Sequence, residues 1–128
     1  MIRGNEAPAS EEMPLERYLD LPHVVFHRQN PHANRIDAAL SELGVRRRIG
    51  PSVQTFYAML AAAARTGYIC TVPDRMRRDF AQTFGLSVHA LPFKTQPVSL
   101  YAVWHVRYAA DPALLWLTGH VKAAAGSP

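Results

Sequence analysis

Apolar positions recur along this chain in two alternating rhythms, short unbroken runs and stripes three to four residues apart, and that alternation predicts strands exchanging with helices. The run His23-Val24-Val25-Phe26-His27 is β-branched and aromatic and too short for a helix, so it predicts a buried strand. Beyond the turn at Asn30-Pro31, Ile36, Ala39, Leu40 and Leu43 mark one stripe of an amphipathic helix. Asn34 caps that helix in this reading, Asp37 assists in its first turn, and Gly44 stops it. A weaker strand follows over 45–53, interrupted by Gly50-Pro51. Thr55 then caps a helix over 56–66, closed by Gly67, whose four consecutive alanines allow another element to pack close. A strand over 68–72 ends at Pro73, which opens a helix carrying Met76, Phe80 and Phe84 and ending at Gly85. Two strands, 86–91 and 98–106, come next without a helix between them. Asp111-Pro112 opens a last helix striped by Leu114, Leu117 and Val121, with Trp116 beside them. The first twenty residues read as a polar lead-in with one helical turn over 15–21.

The order β-α-β-α-β-α-β-β-α implies crossover connections and parallel pairing, hence an α/β fold with a wound, mainly parallel sheet and flanking helices. With 128 residues, 48% hydrophobic and 19% charged, the chain has the profile of one soluble globular domain. No run is long and apolar enough for a membrane span, and the opening residues carry Arg3, Glu6, Glu11 and Glu12 instead of a secretory signal. The lone Cys70 cannot form an internal disulfide or a zinc framework, so a cytoplasmic address is expected. The net charge of +4 comes from scattered arginines, with one tight run at Arg46-Arg47-Arg48. That run reads as a solvated edge strand, and direct nucleic-acid binding by this chain is not expected.

Catalytic and metal patterns are weak. No Gly-rich phosphate loop occurs, and the six histidines form no HExxH pattern, so no cofactor and no metal are expected. Cys70 falls mid-strand, where a buried thiol is inert, and no serine lies in a G-x-S-x-G elbow. The chain is therefore read as a non-enzyme. The Trp104-His105 and Trp116-Leu117 pairs read as core or interface packing. Ligand binding is better grounded, because wound α/β sheets bind small molecules outside the carboxyl ends of their strands. Three such places can be read: His27 and Arg28 with Gln29 and Asn30; Gln54 with Thr55 and Phe56 at a helix start; and Thr71 with Val72 and Pro73. An arginine, a hydroxyl cap and an aromatic ring suit a small carboxylate with an apolar body.

In this order the motifs resemble the effector-binding domain of LysR-type transcriptional regulators. The residues that carry the resemblance are LERYLDLPHVVF (15–26), IDAALSELGVRRRI (36–49), VQTFYAML (53–60), TGYICTVPDRM (66–76) and VWHVRYAADPALLWL (103–117). Gly67 stands where the family commonly has aspartate, and Thr118 where it commonly has arginine.

The resemblance implies a type 2 periplasmic-binding-protein-like fold in which two subdomains enclose an effector. It divides the chain into a lead-in from the first subdomain (1–21), the second subdomain with both crossover strands (22–107), and a C-terminal helix that returns to the first subdomain (108–128). It makes 23–27 the outgoing crossover and 100–107 the return. It gives the ligand-facing role to His27, Arg28, Thr55, Phe56, Val72 and Pro73. The effector it implies is a small anionic or aromatic metabolite. DNA would be reached only through an N-terminal helix-turn-helix domain that this chain lacks, and the chain would hold one wall of the site. A homo-oligomer is expected, formed by exchange of the last helix in one version. Two other readings stay open: a stand-alone small-molecule or solute-binding domain of the same fold, and an enzyme using the same strand-end pocket.

Overall fold

The computed structural model describes residues 2–4, 12–27, 31–97, 99 and 101–126, with side chains for all of these except 2–4, 31–34, 78 and 79. Residues up to Val98 and residues from Ser99 onward form two compact units. The first unit holds a five-stranded sheet in the order β3-β2-β4-β1-β5. Its strands are β1 (Ile2–Gly4), β2 (Pro22–Phe26), β3 (Arg48–Val53), β4 (Ile69–Cys70) and β5 (Leu86–Val88). The helices are α1 (Leu15–Asp20), α2 (Pro31–Glu42), α3 (Phe56–Arg65) and α4 (Arg77–Phe84), the last preceded by a 3-10 turn at Asp74–Met76.

β2 lies parallel to β3 on one side and to β4 on the other, so the expected parallel core of the sheet is present. β1 runs antiparallel between β4 and β5, with Ile2 opposite both Cys70 and Val88. Three residues are too few to show a period, and β1 was hidden in the stretch read as a polar lead-in. β2, which holds most of 23–27, is paired on both edges inside the sheet, and β1 is the strand that runs against the rest.

Alternation along the strands builds two cores. Val24, Cys70 and Val72 face Met59, Leu60 and Ala63 of α3, with Phe80 and Phe84 of α4 packed alongside. Ile69 faces the other way, onto Tyr18 of α1 and Leu40 of α2, with Met13 beneath them. A mainly parallel sheet needs apolar cover on both faces, and these helices supply it.

Local details confirm some element boundaries and shift others. Gly44 and Gly85 stop α2 and α4 in left-handed geometry, at φ 72° and 62°. α2 starts at Pro31, not after Asn34, because proline's fixed φ suits the first helical position. α3 closes without help from Gly67: the Thr66 hydroxyl donates to Ala62 O at 2.7 Å and accepts from Tyr68 N at 3.2 Å. The strands expected over 68–72 and 86–91 shorten to β4 and β5. Among the described residues of 98–106 no strand forms. Tyr101, Val103 and Val106 are more than four-fifths exposed, and a strand without a neighbour leaves its backbone groups unpaired. The second unit contains a 3-10 turn at Val106–Tyr108 and α5 (Pro112–Gly126), opened as expected by Asp111, whose Oδ1 accepts from Ala113 N and Leu114 N. Trp104 and Trp116, read as packing residues, are exposed in this unit.

Gly50-Pro51 does not interrupt β3 but forms a bulge within it. His23 pairs with Ile49 and Val25 with Ser52, so two residues of β3 oppose the single Val24. Proline is tolerated because β3 is an edge strand. Glycine is required by a close approach: a Cβ on Gly50 would stand 3.1 Å from His23 O and 3.2 Å from Tyr68 Cε2. The Gly50→Ala variant is expected to lose about 1–2 kcal/mol, measured as a lower denaturant midpoint at unchanged slope.

Candidate effector-binding site

The parallel strands β2, β3 and β4 end on one edge of the sheet, and the chain order reverses there. From β2 the chain crosses to β3 on one side, and from β3 it returns past β2 to β4 on the other. Such a reversal opens a crevice where connecting segments part to opposite faces. Three of the expected site residues, His27, Thr55 and Phe56, lie at or next to two of these strand ends. The His27 backbone N–H donates to Val53 O at 2.7 Å, extending the β2–β3 ladder by one residue and leaving the His27 imidazole exposed. Thr55 caps α3, its hydroxyl accepting from Ala58 N at 3.1 Å while the residue stays exposed. The Phe56 ring meets the Phe26 ring at 4.7 Å and 44°, which ties the end of β2 to the start of α3.

The β4 end contributes differently. Val72 is buried in the same core as Phe56, so its side chain serves packing, and Pro73 is half-buried at the entry to the 3-10 turn. Arg28 lies outside the described residues. What the edge offers is an exposed imidazole, a hydroxyl that still carries its hydrogen, an aromatic surface, and a helix N-terminus with partial positive charge. That combination suits an acceptor oxygen or carboxylate attached to an apolar body.

The sequence pattern did not reveal the polar group buried on the α1/α2 side. Arg47, read as part of a solvated run, is 8% exposed and grips Asp37 with both ends of its guanidinium, Nε to Oδ1 at 2.7 Å and Nη2 to Oδ2 at 3.1 Å. The Tyr18 hydroxyl lies 3.0 Å from Thr71 Oγ1. Burial holds the Tyr18 phenol above its ordinary pKa. His23 is fully buried against the Tyr18 ring, with ring centroids 4.5 Å apart. Its Nε2 is 2.7 Å from Tyr18 O, and since a carbonyl only accepts, Nε2 carries the hydrogen. Nδ1 is then a buried acceptor with no hydrogen-bond partner. Among the described residues no three metal-ligating side chains gather at one place. No helix among them is long and apolar enough to cross a membrane.

A mainly parallel sheet of this order, with one strand reversed and helices on both faces, defines an α/β domain of the wound type. Comparison with known proteins supplies the family: residues 4–126 match the model of the LysR substrate binding domain, and the chain belongs to that family. Its type 2 periplasmic-binding-protein-like fold and its place among effector-binding domains of LysR-type regulators follow. The chain is 30% identical over 117 residues to the HTH-type transcriptional activator NagR of a Ralstonia species, covering 91% of this chain and 39% of that protein. It is 32% identical over 117 residues to nodulation protein D 1 of Rhizobium tropici, covering 91% and 38%. The regulatory domain of MexT, a transcriptional activator in Pseudomonas aeruginosa, superposes with a TM-score of 0.77 at 26% identity, over 94% of this chain and 59% of that one. The chain thus spans about two fifths of the length of these curated relatives.

Burial pushes the His23 pKa down to about 4 from an ordinary 6.5, opposed by its bond to Tyr18 O; the Arg47 charge lowers it further. Between pH 6.5 and 4 the unfolded chain takes up a proton that the folded one refuses, so stability is complete above 6.5 and falls on acidification. The slope contributed is on the order of 1 kcal/mol per pH unit. Melting temperatures of the wild-type chain are expected to drop from pH 7 to pH 5, and to drop less in His23→Gln; equal drops would remove His23 from the account.

Proposed function

We propose that this chain is part of the sensory module of a LysR-type transcriptional regulator, and that it binds a small anionic or aromatic metabolite at the ends of β2, β3 and β4. His27, Thr55 and Phe56 are its ligand-facing residues, with Arg28 beside them in sequence and the Val72-Pro73 backbone forming the other wall. The observation that carries this reading is the Phe26–Phe56 ring contact at 4.7 Å, which joins the end of β2, next to the exposed His27, to the start of α3, next to the exposed Thr55, at the edge where the chain order reverses. An effector held there, in a cleft closed by a second subdomain, shifts the populations of two arrangements of the regulator. The relatives are transcriptional regulators, which favours a non-enzymatic role. It also favours a cytoplasmic, homo-oligomeric protein whose DNA contacts lie in a separate helix-turn-helix domain.

The test is thermal stabilisation of the purified chain by benzoate, salicylate and cinnamate, set against acetate and succinate. The aromatic acids are expected to raise the melting temperature, and Thr55→Val and Phe56→Ala to abolish that rise. Stabilisation by every anion alike, or retained in both variants, would contradict the site. In the same preparation no sequence-specific DNA retention is expected at moderate salt; clear operator binding would overturn the division of labour.

A further inference from the structure

Polar side chains on the α1/α2 side, Tyr18 and Arg47 buried and Asp37 and Thr71 half-buried, form a line of hydrogen-bonding groups that ends beside the proposed site. It begins at Asp37 on α2, whose carboxylate takes both bonds from Arg47. The Tyr18 hydroxyl and Thr71 Oγ1 share a hydrogen bond of 3.0 Å, in which either can donate. Thr71 directly follows β4 and directly precedes Val72 and Pro73. β4 itself is only two residues long, and its ladder with β2 is the single pair His23 and Ile69. On its other edge β1 pairs at Ile69 and Cys70, so neither ladder reaches Thr71. Tyr18, by contrast, is immobilised: it is fully buried and wedged edge-on between His23 at 4.5 Å and Phe93 at 5.2 Å.

We propose that Tyr18 is a positioning residue for the effector crevice, its hydroxyl holding Thr71 and thereby fixing where the Val72-Pro73 wall stands. The inference rests on the reading of that wall as part of the ligand site, but the positioning itself is observable without any effector. Leu or Met at position 18 would fill the same core. A tyrosine is needed because its ring spans from the α1 core to the end of β4 and delivers a hydroxyl there. Removing the hydroxyl leaves the half-buried Thr71 oxygen with one bond fewer, a local penalty centred on the 71–73 segment.

The experiment is amide hydrogen exchange on the full chain, read at Met76, whose N–H donates to Pro73 O at 3.0 Å, with Met59 in α3, bonded to Thr55 O at 3.1 Å, as the control. Tyr18→Phe is expected to speed exchange at Met76 about tenfold or more while Met59 is unchanged. Thr71→Val should give the same rise, the double variant no further rise, and Thr71→Ser, which keeps the hydroxyl, the wild-type rate. Unchanged exchange at Met76 in Tyr18→Phe would overturn the proposal, as would an equal rise at Met59 or additive effects in the double variant. Failure of the aromatic acids to stabilise the wild-type chain would instead count against the sensor reading alone.

Discussion

The structure depends on the pairing of β2 with parallel neighbours on both of its edges. Two parallel ladders on one strand require two crossovers in opposite directions, and those crossovers are what place α2 on one face and α3 on the other. They also bring three strand ends to a single edge. The same strand supplies Val24 to one core and Val25 and His23 to the opposite side, so a one-residue slip would exchange a buried imidazole for an aliphatic side chain in both layers. The Gly50-Pro51 bulge keeps β3 in step with β2 and aims its last residues toward the start of α3.

Much of this was legible from periodicity. The β-branched run at 23–27, the α2 stripe from Ile36 to Leu40 and the alanine-rich α3 with Thr55 as its cap stand where the spacing of apolar residues placed them, because those signals are local and strong, whereas Leu43 falls beyond the end of α2 and is exposed. Proline and glycine marked most of the ends for the same reason. The missed elements depended on distant partners. Ile2–Gly4 is a strand only because Cys70 and Val88 lie on either side of it, and three residues carry no period. The apolar run after Val98 looked like a strand, but alternating hydrophobicity cannot show whether a neighbour exists to pair with it.

The candidate site divides along the same line. Thr55, Phe56 and His27 could be named because strand ends and helix starts can be located from sequence. Arg47 could not, since an arginine within a run of three has no local mark distinguishing it from its exposed neighbours. Its partner Asp37 is ten residues earlier on another element, and only the crossover that carries α2 over the sheet joins them. Tyr18 is similar: the motif that contains it showed a helical turn, while its reach to Thr71 is fixed by the tertiary fold. The family resemblance and the physical reading agree on an α/β fold with a mainly parallel sheet, because both rest on the same order of strands and helices.

The central claim is that a small ligand enters at the shared edge of β2, β3 and β4. It is tested most directly by mapping amide chemical shifts of the isotopically labelled chain during a salicylate titration. The account predicts saturable changes concentrated at residues 26–27, 54–57 and 71–74, with the α1 and α2 amides nearly still. Saturable changes confined to α5, or to the edge of β5, would contradict it.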